Sequence, residues 1–131
     1  MSSMYRQLIV DRYKAPLFKG KLDNADIHFH DANPLCGDEI EVFVRLDDEG
    51  KIKEARFDGT GCAISQASVD LLLEDIEGKT PDEVMKLDAD FIKEMLNFPL
   101  TPVRLKCALL GLKVLQAGIL IHKKKQDTGT S

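Results

Sequence analysis

Residues 40–62 read IEVFVRLDDEGKIKEARFDGTGC, and this stretch decides the fold. Its first part alternates apolar with other residues, so one face of a strand would carry Ile40, Val42, Val44 and Leu46. The Asp-Asp-Glu-Gly run that follows has the composition of a hairpin loop, and residues 52–58 return as the partner strand. The hairpin therefore carries the chain forward to Gly59 and Cys62.

A strand is also predicted before this hairpin. Ile27 and Phe29 alternate with His28 and His30, which favours a strand over residues 26–31. Together with residues 40–46 and 52–58, it gives a three-stranded antiparallel sheet that brings Cys36 and Cys62 to the same end. Because helical patterns follow the strands, we predict an α+β fold in which several helices pack on this sheet.

The helices are placed by apolar spacing and by capping residues. Residues 4–14 and 65–77 have helical periodicity, and Gly78 ends the second of these segments. Helix starts are indicated by the capping box Thr80-Pro81-Asp82-Glu83, by Asp88 before residues 89–96, and by Thr101-Pro102. We expect a single domain over residues 1–122 and a polar, disordered tail over residues 123–131.

Composition narrows the class of protein. The chain has 131 residues, of which 44% are hydrophobic and 31% charged, as in ordinary soluble domains. The net charge of −4 argues against nucleic acid as the main partner. The apolar run from Cys107 to Ile121 is interrupted by Lys113 and Gln116, so it predicts a buried helix and not a membrane span. Three cysteines without a signal peptide lead us to expect the reducing cytoplasm.

The cysteines are the candidate site. Cys36, Cys62 and Cys107 each lie where a loop meets a regular element, and glycines beside the first two allow another group to approach the backbone closely. With Asp38 they make four candidate ligands, which suits zinc or each iron of a thiolate-bound cluster. If they share a metal, the sulfurs should lie about 3.5–4 Å apart.

Plainer interpretations stay open beside this one. Each cysteine could be a small buried hydrophobic residue, and that interpretation suits Cys107 best because Ala108 and two leucines follow it. Asp38 could be a turn carboxylate. His28 and His30 would share one strand face and could chelate a metal, although such a pair more often lies on a solvated sheet face.

Three motifs follow one another along the chain: Asn33-Pro34-x-Cys36-Gly37-Asp38, then Gly59-x-Gly61-Cys62-Ala63-Ile64-Ser65-x-Ala67-Ser68, then Lys106-Cys107-Ala108. Together they resemble the motifs of the NifU N-terminal family of iron–sulfur scaffold proteins. The resemblance covers residues from Met4 to about Ile119. The sequence Cys62-Ala63-Ile64-Ser65 and the lysine at position 106 are similar to the SufU branch. The small number of residues between the second and the third cysteine is similar to the IscU branch.

The resemblance implies an IscU/SufU-like scaffold, not a conventional enzyme. It would accept sulfur from a cysteine desulfurase, assemble a transient [2Fe–2S] cluster with iron, and pass the cluster to apo iron–sulfur proteins. Cys36, Cys62 and Cys107 would be the sulfur acceptors and ligands, and the oxygen of Asp38 would keep the cluster labile. A SufU-type alternative is a sulfurtransferase in which the same four residues hold zinc. An alternative from a different functional class also stays open: a small structural zinc protein that binds partners.

Overall fold

The computed structural model describes residues 2–34 and 37–129. Its centre is a three-stranded antiparallel sheet in the order β1-β2-β3. The strands are β1 (Ile27–Asn33), β2 (Asp38–Leu46) and β3 (Ile52–Thr60). The predicted meander is confirmed. β1 begins one residue later and ends two residues later than predicted, β2 begins already at Asp38, and β3 ends only at Thr60.

Helices precede and follow the sheet. They are α1 (Ser2–Lys14), α2 (Ala63–Ile76), α3 (Pro81–Met85), α4 (Ala89–Leu96) and α5 (Pro102–Gly129). The capping box is present as predicted: Thr80 accepts from the Glu83 amide, and Glu83 accepts from the Thr80 amide. The amide and the hydroxyl of Thr80 both donate to the Glu83 carboxylate, and these two hydrogen bonds lower the pKa of Glu83. Asp88 likewise caps α4 at Phe91.

One face of the sheet packs on α2 and α5, and the core lies between them. Of the predicted apolar positions of β2, Ile40, Val42 and Val44 are buried there and Leu46 is partly buried. Ala67, Leu72 and Ile76 of α2 are buried as well. Two glycines of α5 allow this helix to pack closely against α2 and β1. A Cβ at Gly111 would lie 2.8 Å from Val69 of α2, and a Cβ at Gly118 would lie 2.9 Å from Ile27 of β1.

A buried ion pair fixes α1 against α2. Arg12 donates to the carboxylate of Asp70 at 2.8 Å and also pairs with Glu74. Asp70, fully buried, accepts in addition from the amides of Leu17 and Phe18. Burial lowers the pKa of Arg12, but the hydrogen bonds and charges of Glu74 and Asp70 outweigh it and raise the pKa overall. The residues after α1 are thus held by the same carboxylate as the helix.

The last helix differs from expectation at its end. It continues through residues 123–129, where the sequence predicted a disordered tail. The physical reason is that Lys123, Lys124 and Lys125 are good helix formers and no proline or glycine interrupts them before Gly129. By length and composition, Pro102–Gln126 could cross a membrane, but half of its most apolar window is buried inside the protein. Buried Leu115 and Ile119 confirm the prediction of a helix that packs in the core.

Candidate functional site

The hairpin brings Asp38 and Cys62 together at one end of the sheet. Glu39 pairs with Thr60 across β2 and β3, so the first residue of β2 lies beside the residues that follow β3. The side chain of Asp38 points to the inner face of the sheet, as do those of Ile40 and Val42, and all of them are fully buried. Cys36, the predicted ligand two positions earlier, lies outside the described residues.

The carboxylate of Asp38 contacts both the backbone amide and the side chain of Cys62. The amide of Cys62 donates to Oδ1 of Asp38 at 2.8 Å, and the Cys62 sulfur lies 3.7 Å from Oδ2. The second distance falls within the separation expected for two ligands of one tetrahedral metal ion. Asp38 is therefore not only a turn carboxylate, because its acceptor atoms are directed at a cysteine across the sheet end.

Cys62 also begins the helix that follows it. As the N-cap of α2, its sulfur accepts from the amide of Ser65 at 3.5 Å. The hydroxyl of Ser65 returns the contact by donating to the carbonyl of Cys62 at 3.1 Å. The sulfur of Cys62 therefore lies at the N-terminal end of α2, between the Ser65 amide and the Asp38 carboxylate.

Two glycines make room for this arrangement. A Cβ at Gly61 would lie 2.2 Å from Oδ1 of Asp38, and a Cβ at Gly59 would lie 2.1 Å from the carbonyl oxygen of Glu39. Both have positive φ, +148° and +156° respectively. Any larger residue at Gly61 would displace the carboxylate, which gives the Gly-x-Gly motif a steric purpose.

Cys107 completes the group from α5. It is 2% exposed, and the carbonyl of the next residue, Ala108, accepts a hydrogen bond of 2.8 Å from the buried hydroxyl of Ser68 on α2. One ligand atom from each of Asp38, Cys62 and Cys107 lies within 4.8 Å of the other two. The burial of Cys107 matches the interpretation of this cysteine as a small buried hydrophobic residue. Its position beside a carboxylate and a second thiol does not match that interpretation.

The donor set fits a metal that accepts thiolate ligands. Two sulfurs and one carboxylate oxygen are brought together from β2, the start of α2, and α5. A tetrahedral ion would need one further ligand, and Cys36 precedes Asp38 by two positions. With zinc–sulfur bonds of about 2.3 Å, the group would have to contract slightly around the ion.

Sequence reasoning missed the residues that hold this group in place. Ser68 ties α2 to α5 across 40 positions of sequence, which no local pattern reveals. Ser65 could have been found, because a residue three positions after a helix N-cap is where the cap bond goes. Gln66 donates to Ser65, and its buried Oε1 has no partner among the described residues.

The two histidines do not join the cysteines. His28 and His30 lie on the opposite face of the sheet from Asp38, where they contact Glu41 and Glu39. The cysteine site therefore takes no imidazole ligand from β1.

Comparison with known proteins gives a consistent result. The chain is 35% identical over 135 residues to the iron-sulfur cluster assembly scaffold protein IscU of Thermotoga maritima, an alignment that covers 88% of this chain and 92% of that protein. It is 32% identical over 136 residues to the zinc-dependent sulfurtransferase SufU of Bacillus subtilis, with 91% of each chain covered.

A solved structure shares the fold. It comes from Fervidobacterium islandicum, is described as an iron-sulfur cluster assembly scaffold for the SUF system, and superposes with a TM-score of 0.75 at 34% identity. The match covers 91% of this chain and 99% of that one. A family model described as the NifU-like N terminal domain matches residues 4–129. The predicted α+β fold and the predicted family are both confirmed, and the chain belongs to the NifU-like N-terminal domain family.

Proposed function

We propose that this protein is a scaffold on which iron–sulfur clusters are assembled, with Cys36, Cys62, Cys107 and Asp38 as the site. The observation that carries the proposal is the convergence of the Asp38, Cys62 and Cys107 ligand atoms within 4.8 Å. The names of the Thermotoga maritima and Fervidobacterium islandicum relatives support it. The proposed partners are a cysteine desulfurase and apo iron–sulfur proteins, in the cytoplasm.

Sulfur would arrive by thiol exchange. A thiolate of this chain attacks the terminal sulfur of the desulfurase persulfide, the persulfide S–S bond breaks, and the desulfurase cysteine leaves as a thiolate. The sulfur is then held as a new persulfide on the acceptor. Of the two described cysteines, Cys62 is half-buried and Cys107 is buried, so Cys62 is the more accessible acceptor in this conformation.

The carboxylate gives the site one ligand that exchanges more readily. Oxygen is a harder ligand than thiolate and holds iron less firmly. The hydrogen bond from the Cys62 amide keeps the Asp38 carboxylate in place whether or not it ligates a metal. A cluster bound partly by Asp38 would therefore be released to an acceptor more easily than one bound by thiolates alone.

A second candidate is a zinc-dependent sulfurtransferase. The Bacillus subtilis relative carries that name, and two thiols with a buried carboxylate are a suitable zinc donor set. Zinc would keep the loops ordered and its cysteine ligands deprotonated while one of them relays sulfur. A structural zinc protein would use the same ligands but would accept no sulfur.

One anaerobic experiment separates these functions. The purified protein is incubated with a cysteine desulfurase, cysteine, ferrous iron and a dithiol that supplies the electrons for reducing persulfide sulfur to sulfide. Visible absorbance then follows cluster formation, and mass spectrometry of a sample without iron and without the dithiol follows persulfide. The cysteine variants C62S and C107S are compared with D48A, which removes an exposed carboxylate in the hairpin loop.

The scaffold proposal expects a cluster that forms on wild type and D48A, not on C62S or C107S, and that transfers to an apo-ferredoxin. Persulfide without any transferable cluster would support the zinc sulfurtransferase. If neither persulfide nor a cluster forms, only the structural zinc protein remains as an explanation, and the proposal is overturned.

A further inference from the structure

The two described thiols lie close enough to react with each other. Cys62 caps α2 and Cys107 lies in the second turn of α5, and their sulfurs are within 4.8 Å of one another. Neither takes part in a disulfide in this structure. A disulfide holds its two sulfurs about 2 Å apart, so the pair would have to approach by less than about 3 Å. Covalent chemistry between them is therefore within reach of side-chain movement.

The helices that carry these sulfurs are held beside each other. The buried hydroxyl of Ser68 on α2 donates to the carbonyl of Ala108, the residue after Cys107, at 2.8 Å. One turn further along α5, a Cβ at Gly111 would lie 2.8 Å from Cβ of Val69. These contacts fix the distance between the first turns of α2 and the second turn of α5, so the thiols stay neighbours.

The side chain of Cys62 is held more loosely than its backbone. Its amide donates to Asp38 at 2.8 Å, and its carbonyl accepts from the Ser65 hydroxyl at 3.1 Å. Its sulfur makes only longer contacts, 3.5 Å to the Ser65 amide and 3.7 Å to Asp38 Oδ2. Because sulfur is a weak donor and a weak acceptor, rotation about χ1 costs little. The sulfur can thus move by the distance that a disulfide requires.

Exposure gives the two thiols different roles. Cys62 is half-buried and within reach of a partner protein or a reagent, whereas Cys107 is 2% exposed. Burial protects Cys107 from thiols and oxidants in solution. It does not separate Cys107 from a group attached to Cys62, because that group would sit on the neighbouring sulfur. Reactants held together in this way react as if one of them were present at very high concentration.

We propose that Cys107 is a resolving thiol for a persulfide on Cys62, an inference that rests on the proposed function for the source of that persulfide. Cys107 attacks the Cys62 sulfur, a Cys62–Cys107 bond forms, and the bond from Cys62 to the terminal sulfur breaks. The terminal sulfur leaves with the thiol proton as hydrogen sulfide. The two cysteine sulfurs together give up two electrons, and these electrons reduce the sulfane sulfur to sulfide.

This step determines where external electrons enter. The disulfide removes two ligands from the site, so a dithiol must reduce it before Cys62 and Cys107 can bind a cluster. The dithiol would then reduce a protein disulfide and not the persulfide itself. A metal that holds both sulfurs prevents the attack, so the step belongs to the metal-free protein. Sulfide is released beside the residues that would bind it.

The competing explanation is that Cys107 is a ligand and a core residue that does not react. A group on Cys62 would then stay there until a thiol from solution removed it. Two cysteines in any flexible chain also pair eventually, so the formation of a disulfide is not decisive by itself. The decisive quantity is the rate of the second thiol's attack in the folded protein relative to the unfolded chain.

The test uses the full chain with Cys36→Ser, which leaves Cys62 and Cys107 as its thiols. The metal-free protein is mixed anaerobically with one molecule of dipyridyl disulfide per chain. Attack by the first thiol releases one thiopyridone, which absorbs in the ultraviolet, and attack by the second releases another. We expect the second release to be independent of protein concentration and at least about tenfold faster than in urea at the same pH. A disulfide should join tryptic peptides 57–79 and 107–113.

The control adds Cys107→Ala, a change that keeps a small apolar side chain in the buried position. C36S/C107A should release one thiopyridone and keep the other half of the reagent as a mixed disulfide. A second release no faster in folded C36S than in urea would overturn the proposal, and so would a disulfide between two chains. The comparison with urea needs no variant of Cys107, so it decides even if C36S/C107A fails to fold.

A second measurement follows the persulfide itself. Wild type is incubated anaerobically with a cysteine desulfurase and cysteine, without iron and without a dithiol. We expect released sulfide together with the same joined peptides, and released sulfide then counts with persulfide as evidence that sulfur was accepted. A persulfide that remains on Cys62 of wild type would overturn the proposal. If no sulfur reaches the protein while the reagent is still resolved quickly, the thiol pair stands and the proposed function has failed.

Discussion

The carboxylate of Asp38 accepts a hydrogen bond of 2.8 Å from the amide of Cys62. This contact joins the first residue of β2 to the residue that caps α2, and it does so where the carboxylate is fully buried. A buried carboxylate without partners would be costly. Its pairing with Cys62 means that the end of the hairpin and the start of the helix keep their positions together.

Gly61→Ala tests the close passage of the chain over Asp38. We expect it to lower the free energy of unfolding by about 1–3 kcal/mol, since it adds both backbone strain and a clash with the carboxylate. Gly50→Ala is the matched control, because Gly50 also has positive φ but meets nothing within 4 Å. Urea titration measures both. Equal losses of stability in the two variants would show that the Asp38 carboxylate can move away from the added methyl group without a cost in free energy.

Asp70→Asn tests the attachment of α1. Removing the charge leaves Arg12 with only Glu74 as an acidic partner among the described residues, and it weakens the hydrogen bonds to the Leu17 and Phe18 amides. We expect a loss of about 2–3 kcal/mol in the free energy of unfolding. The exposed pair of Arg45 and Glu54 supplies the control, since Glu54→Gln should cost less than about 1 kcal/mol. A loss no larger than that of the control would contradict the role given to Asp70.

Local signals in the sequence predicted the sheet, and long-range contacts could not be predicted. Alternation along β2 and the composition of its hairpin depend on neighbours within a few residues, and so do the caps at Thr80 and Asp88. The contact from Arg12 to Asp70 spans 58 positions, and any pair of opposite charges would have looked the same. The end of α5 was wrongly predicted because a charged terminal run suggests disorder and helix equally well.

The arrangement of the candidate site could be predicted from the sequence only in part. The motif around Cys62 and its glycines indicated a close approach, and the structure identifies the approaching group as Asp38. Convergence with Cys107 rested on the resemblance, because nothing near Cys107 in the sequence specifies which helix it faces. That is decided by the packing of α2 on α5, including Gly111 against Val69.

Alkylation rates test the difference in exposure between the described cysteines. In metal-free protein, iodoacetamide should modify half-buried Cys62 faster than Cys107, which is 2% exposed. Trypsin separates them, because cleavage after Lys106 and Lys113 releases Cys107 alone, while Cys62 remains in residues 57–79. In denaturant the two rates should converge. A Cys107 that reacts as fast as Cys62 under native conditions would mean that α5 does not cover it.

Asp38 variants test which mechanism operates. For a scaffold, Asp38→Ala should prolong the lifetime of an assembled cluster in air, because the exchangeable oxygen ligand is gone. For a zinc sulfurtransferase it should weaken zinc binding by about tenfold or more. Asp38→Asn is the control for structure, since its amide oxygen can still accept from Cys62. If neither cluster lifetime nor zinc affinity changes in Asp38→Ala, Asp38 is only structural.

The central claim is that Cys62 and Cys107 bind one metal ion together with Asp38 and Cys36. Cobalt(II) tests it most directly, because the intensity of its thiolate charge-transfer absorption rises with the number of sulfur ligands. We predict that wild type gives the full intensity, that Cys62→Ser and Cys107→Ser each lose a comparable share, and that Asp38→Ala keeps the sulfur bands with altered visible absorption. Unchanged charge-transfer intensity in Cys107→Ser would place that thiol outside the site and contradict the account.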